Sequence, residues 1–212
     1  KQLGLGVPTG IELLEKKGTL NTKAQKEKVY GTGVNANFSA GDRILGAIGQ
    51  GEYRFTPLQL CVYASTLANK GTRMKATFLN RVVSADYKQV VFENTSKVMS
   101  QTQISDTAIK AVMTGMEKVA NESGGTALRV FGNYPVKVAA KTGTAQHGNG
   151  LTSDKASLVC YAPADDPEIA IAIYVEKGGH GNTMAMAARY LIEDYLTVEE
   201  VSDVPSYENK MS

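Results

Sequence analysis

Between residues 56 and 71 the positions Leu58, Cys61, Val62, Ser65, Leu67 and Ala68 recur at helical spacing, which predicts a helix. Its start is marked by Thr56-Pro57-Leu58-Gln59, in which threonine can cap, proline suits the first turn and glutamine three residues on completes a capping box. Gly71 marks its end. A second apolar stripe, Ile109, Val112, Met113, Met116, Val119 and Ala120, follows a Ser105 cap and ends at Gly124 and Gly125. It predicts a helix with that stripe in the core. A third helix is expected behind an Asn182 cap, with Ala187, Ala188, Leu191, Ile192 and Tyr195 as its apolar face.

Elsewhere the period shortens to two. Residues 77–92 predict two short strands around a turn at Ser84 to Asp86. After residue 134 come VKVAAKTGTA, ASLVCYA and EIAIAIYVE, three strand-like runs, the last two joined by PADDP, a turn suited to an antiparallel hairpin. In the last run Ile169, Ile171, Ile173 and Val175 share one face, and Ala170, Ala172 and Tyr174 share the other. Both faces are therefore expected to be covered, with the alanines admitting a helix closely. The first 55 residues are glycine-rich and weakly periodic, which predicts loops and short helical turns without a repeat. Residues 1–198 read as one folded unit and 199–212 as a polar, frayed tail.

Composition changes this picture little. A chain of 212 residues can bury a substantial core, and 42% hydrophobic residues, 21% charged residues and a net charge of +2 are ordinary values for a soluble domain. Nothing in that balance points to nucleic acid or to a membrane surface. There is neither an eighteen-residue apolar run nor a charged-then-apolar leader, so the chain contains no predicted membrane span or signal peptide. Cys61 and Cys160 lie in unlike contexts and read as two buried hydrophobes in preference to a disulfide, leaving the redox compartment open.

Several motifs fail. GTGVNA at 31–36 and GQGEYR at 49–54 lack the third glycine and preceding strand of a dinucleotide site, and GxxxxGK[ST] is absent. His147 and His180 are the two histidines, without metal-ligand spacing, so neither a metal nor a cofactor is expected.

Lys141 is different. It stands in a strand of small and apolar residues, followed by Thr142, Gly143 and Thr144. The bland alternative is a lysine snorkelling from a strand end. Against it, Gly143 lets another backbone approach, the threonines add hydroxyls, and Lys141 supplies a positive charge suited to a carboxylate. On a sheet edge such a strand can pair with an extended peptide.

KTGTAQ resembles the KTG motif of the penicillin-binding protein and serine β-lactamase superfamily. GQGEYRFTPLQL at 49–60, YAPADDPEIAIAIYVEKGGHG at 161–181 and LGLGVPTGIEL at 3–13 are similar to segments of class B penicillin-binding proteins, in the right order. The resemblance implies an α/β (α+β) fold carrying three of the usual five antiparallel strands. No serine has a lysine three positions on, and no Ser-x-Asn occurs; TRMK at 72–75 and TAIK at 107–110 have threonine instead and lie in the wrong part of the chain. In the family those motifs precede the region matched by Lys1, so the chain is expected to be the C-terminal part of a transpeptidase domain, inactive alone.

What the resemblance implies for function is a serine acyl transfer that cross-links peptidoglycan stem peptides and is blocked by β-lactams. Lys141 would sit near the missing SxN serine, Thr142 and Thr144 would hold the substrate carboxylate beside Gly143, and the Thr144 N–H would be one oxyanion donor. Each such donor is worth about 3 kcal/mol of barrier. Two other readings stay open: a D,D-carboxypeptidase or β-lactamase of the same fold, and a non-catalytic sensor or scaffold. The family further implies cell-wall machinery such as a peptidoglycan glycosyltransferase as partner. It also implies a place on the outer face of the bacterial cytoplasmic membrane, held by an N-terminal helix not in this chain. The strand near 169–175 is expected to expose an edge that favours self-association.

Overall fold

The computed structural model describes residues 1–145 and 154–197. His147 and the polar tail lie outside the described residues. Two eight-residue helices, α1 (Lys23–Tyr30) and α2 (Ala40–Ala47), bracket a 3-10 turn in the glycine-rich first quarter. α3 (Pro57–Ala68) starts as the sequence predicts: the Thr56 hydroxyl accepts from the Gln59 N–H, and Gln59 Oε1 accepts from the Thr56 N–H. It ends at an Asn69 cap, and Gly71 turns the chain with φ 93°. A Cβ there would stand 2.2 Å from Thr102 Cγ2, so the turn needs glycine for both conformation and space.

That turn feeds β1 (Thr72–Met74), which pairs antiparallel with β4 (Val98–Gln101). Between them β2 (Arg81–Val83) and β3 (Val90–Glu93) form the hairpin expected over 77–92, with shorter strands. α4 (Asp106–Asn121) begins at its Ser105 cap and is followed by the single turn α5 (Leu128–Phe131). α4 stops at Asn121, earlier than the glycines suggest, and its stripe buries Ile109, Met116 and Ala120 while Val112 faces solvent at 44% exposure. The stripe is thus narrower than its periodicity implies.

The main sheet is antiparallel, in the order β5 (Ala139–Ala145), β6 (Lys155–Ala162), β7 (Ile169–Val175). Both faces are covered, as the strand pattern predicts, except at the end of β7, where Tyr174 and Val175 are exposed. On one face Ala139, Val159 and Tyr161 pack with Ala64 and Leu67 of α3 and Met116 of α4, and Ala170 and Ala172 border that cluster. On the other, Ala140, Leu158, Cys160 and Ile171 pack with Phe131 and with Ala188 and Ile192 of α6 (Ala185–Thr197). Removal from water of Phe131, Leu158 or Ile192, all fully buried, stabilises the fold by about 2 kcal/mol each.

Two expectations are corrected. Asn182 does not cap α6; it lies inside a 3-10 turn, Gly181–Met184, that leads into the helix. Ala187 is exposed and Leu191 and Tyr195 are half-exposed, because α6 presents Ala185, Ala188 and Ile192 to the sheet. The cysteines are free thiols; Cys160 is buried, and burial pushes it up to about 12, whereas Cys61 is only partly buried and donates to the Ala170 carbonyl at 3.2 Å.

Candidate active site

β5 is an edge strand, paired with β6 alone among the described residues, from Ala139 opposite Tyr161 to Ala145 opposite Lys155 without a register shift. Which groups face its free edge follows from two hydrogen bonds at its entrance. The Lys137 carbonyl accepts from Ala164 N–H, on the β6 side. The next carbonyl, of Val138, accepts from the Asn121 amide at the end of α4. Main-chain groups alternate sides along a strand, so Thr142 and Thr144 direct their N–H and C=O groups to the free edge. The entrance of that edge is closed by Asn121, and the part beyond it carries the four residues singled out in the sequence.

The side chains alternate as well. Ala139 belongs to the α3 and α4 face and Ala140 to the α5 and α6 face, so Lys141 and Gly143 continue the first while Thr142 and Thr144 continue the second. Sequence reasoning treats the four as one anion site. The structure puts the lysine and the two hydroxyls on opposite faces of the strand and brings them together only around its free edge. There the exposed Lys141 ammonium donates to the Thr142 carbonyl.

Both hydroxyls are held from outside the strand. Thr142 Oγ1 lies 2.8 Å from Thr126 Oγ1, in the loop between α4 and α5. Thr144 Oγ1 accepts from the Gly181 N–H at 3.2 Å. Gly181 itself rests on the strand: a Cβ on it would stand 2.4 Å from the Gly143 carbonyl oxygen and 2.6 Å from that of Ser157. A second backbone does approach the strand at Gly143, that of the glycine-rich loop before α6, but Gly181 is the glycine that admits it: a Cβ on Gly143 would meet the Ser157 Oγ at 2.4 Å instead. Neither Thr126 nor Gly181 is a predicted site residue. Thr126 has no signal in the sequence beyond a neighbouring glycine pair, and Gly181 is marked only as the last residue of the family-like segment 161–181, without a role.

The rest of the site is small and polar. Ser157 lies across from Gly143, and its Oγ would be 2.4 Å from a Cβ added there. Thr183 steadies the loop by donating to the His180 carbonyl at 2.7 Å. No group of three His, Cys, Asp or Glu side chains suited to a metal occurs among the described residues. Chemically, the edge offers one main-chain N–H row, one cation and two hydroxyls, a set that can hold an extended chain bearing a carboxylate.

Residues 1–192 match the family model described as the penicillin binding protein transpeptidase domain. The chain is 30% identical to the peptidoglycan D,D-transpeptidase MrdA of Haemophilus influenzae, over 98% of this chain and 33% of that protein. It is 35% identical to penicillin-binding protein 2A of Bacillus subtilis, over 82% of this chain and 24% of that protein. Among solved structures, Pseudomonas aeruginosa PBP2 in complex with WCK 5153 superposes with a TM-score of 0.73 at 26% identity, covering 99% of this chain and 45% of that one. Helicobacter pylori PBP2, solved in complex with MreC, superposes with a TM-score of 0.72 at 26% identity, covering 91% of this chain and 34% of that one. The chain spans a third or less of the length of these curated relatives.

Proposed function

Because the chain belongs to the penicillin-binding protein transpeptidase family, in its class B branch, we propose that it forms part of a serine D,D-transpeptidase that cross-links peptidoglycan stem peptides. The observation that carries the reading is the free edge of β5, with Lys141, Thr142, Gly143 and Thr144 grouped on it and each hydroxyl in contact with a partner from another loop.

In this reading the donor stem peptide lies along the edge as an added strand. A serine hydroxyl attacks the carbonyl carbon of the penultimate D-alanine, the C–N bond breaks, and the terminal D-alanine leaves with a proton on its nitrogen. An amine of a second stem then attacks the ester, and the serine oxygen departs and regains its proton. The covalent intermediate divides one difficult step into two. Thr142 and Thr144 hydroxyls hold the terminal carboxylate, on either side of Gly143. The Thr144 N–H, on the free edge, is one oxyanion donor, and Lys141 sets the field around the groups that move the proton. A β-lactam follows the first half of the route and stops at the ester.

The relatives named by activity are D,D-transpeptidases, and this favours an amine over water as acceptor. The nucleophile is not among these 212 residues, which contain no Ser-x-x-Lys. We place the active protein on the outer face of the bacterial cytoplasmic membrane, tethered by a helix; no described helix is long and apolar enough to cross a membrane. The H. pylori relative was solved with MreC, which supports a protein partner for this chain's protein as well; the family resemblance makes a peptidoglycan glycosyltransferase a further partner in this reading.

Labelling with a fluorescent penicillin tests the reading. The protein that carries the upstream serine is expected to label covalently and these 212 residues alone are not. Labelling of the 212-residue chain refutes the placement of the nucleophile, and failure of the longer protein refutes acyl transfer.

A further inference from the structure

We propose that Thr126 is a positioning residue for this site: its hydroxyl donates to Thr142 and thereby directs the Thr142 proton at a bound carboxylate. The inference rests on the acyl-transfer reading above and adds to it a residue from outside the strand.

The 2.8 Å contact between Thr126 Oγ1 and Thr142 Oγ1 can run in either direction while the edge is free, since a hydroxyl both donates and accepts. A carboxylate accepts only. Once one sits against Thr142, that hydroxyl must give its proton to the anion, and the chain Thr126 to Thr142 to carboxylate is the one arrangement that satisfies all three groups. Hydrogen bonds aligned in this way polarise and strengthen one another. Thr144 has the same arrangement already fixed: its oxygen accepts from the Gly181 N–H, which leaves its own proton for an acceptor elsewhere. The two hydroxyls lie on one strand face, continuing that of Ala140, so a single carboxylate can meet both. Thr126 is held where it acts by its neighbours in the chain. Ala127, next to it, is buried against the core and its N–H is bound to the Val119 carbonyl, while Asn121 pins the start of the loop to Val138.

Thr126 is exposed, so replacing it with valine removes the hydroxyl without burying a new group. Second-order acylation constants are measured, in the protein carrying its nucleophile, for benzylpenicillin and for its methyl ester, in which the carboxylate is masked. Thr126→Val is expected to lower the constant for the acid by up to about tenfold, the upper worth of one neutral hydrogen bond, and to leave that for the ester unchanged. Thr126→Ser, which keeps the hydroxyl, is expected to restore the acid constant. An unchanged ratio of acid to ester in Thr126→Val, or a loss that serine does not restore, overturns the inference while leaving acyl transfer standing. Absence of acylation in the unmutated protein overturns acyl transfer itself, and this inference with it.

Discussion

Gly181 lies on Gly143 with backbone against backbone: a Cβ on Gly181 would meet Gly143 O at 2.4 Å and Gly143 N at 2.8 Å. A Cβ on Gly143 instead meets a side chain, Ser157 Oγ at 2.4 Å, with Ser157 Cβ beyond it at 3.8 Å. The two glycines thus have different reasons to be glycine, and mutation separates them. Gly181→Ala is expected to destabilise by about 1–3 kcal/mol, because two main-chain segments must move apart. Gly143→Ala is expected to cost less, and Gly143→Ala with Ser157→Ala together less than Gly143→Ala alone, since the remaining contact is ordinary. Chemical denaturation of these three variants and of Ser157→Ala alone measures the coupling.

Gln59 ties the first segment of the chain to α3. Fully buried, it donates through Nε2 to the carbonyls of Val7 at 2.8 Å and Lys17 at 3.0 Å, while Oε1 accepts from Thr56 N–H. Gln59→Leu keeps the bulk and strands those three main-chain groups. The expected loss is about 2–4 kcal/mol, more than a capping glutamine alone is worth. Thermal unfolding checks it, and a loss below about 1 kcal/mol would mean that water or a new partner serves those groups.

This residue also marks where the sequence stops being legible. As half of a capping box Gln59 can be read from four neighbouring letters, but its partners Val7 and Lys17 are 52 and 42 residues away and leave no local trace. The same divide runs through the molecule. α3, α4 and the three strands of the main sheet follow from periodicity, whereas β1 and β4, three and four residues long, are too short to show one. The site divides likewise: Lys141 to Thr144 are contiguous and announce themselves, while Thr126 and Gly181 belong to it only because the fold brings two other loops to β5. Leu191 and Tyr195 fail for a different reason, since helical spacing gives a face but not which neighbour lies against it.

Acid should loosen the first quarter of the chain and its anchor. Asp42 is held down to about 2 by the Lys26 ammonium, then by the hydroxyl and N–H of Ser39, and Glu12 to about 2 by the Thr77 hydroxyl, then by the Phe78 N–H. Both folded values lie below the ordinary value of about 4. Their contribution is therefore complete above about pH 4 and lost as pH falls toward 2. Stability measured across that window is expected to decline, and Asp42→Asn and Glu12→Gln to flatten the decline. An acid limb identical in the variants would assign the loss to other groups.

β7 is the second open edge of the main sheet, with β6 its one partner among the described residues. Beside it a groove of about 820 Å³ is lined by Ile169, Ile171, Leu191 and Tyr195 among others, and the two α6 side chains are each 49% exposed. An unpaired edge next to apolar surface is a template for another strand, and for the 212-residue chain in solution the available strand is that of a second copy. Sedimentation is expected to show a weight-average mass that rises with concentration. Leu191→Lys and Tyr195→Lys place charge in the groove at half-exposed positions, so they are expected to suppress association while leaving the melting temperature nearly unchanged. A chain that stays monomeric at the highest concentrations reached, or lysine variants that associate as strongly as the parent, would show that this edge is not the contact.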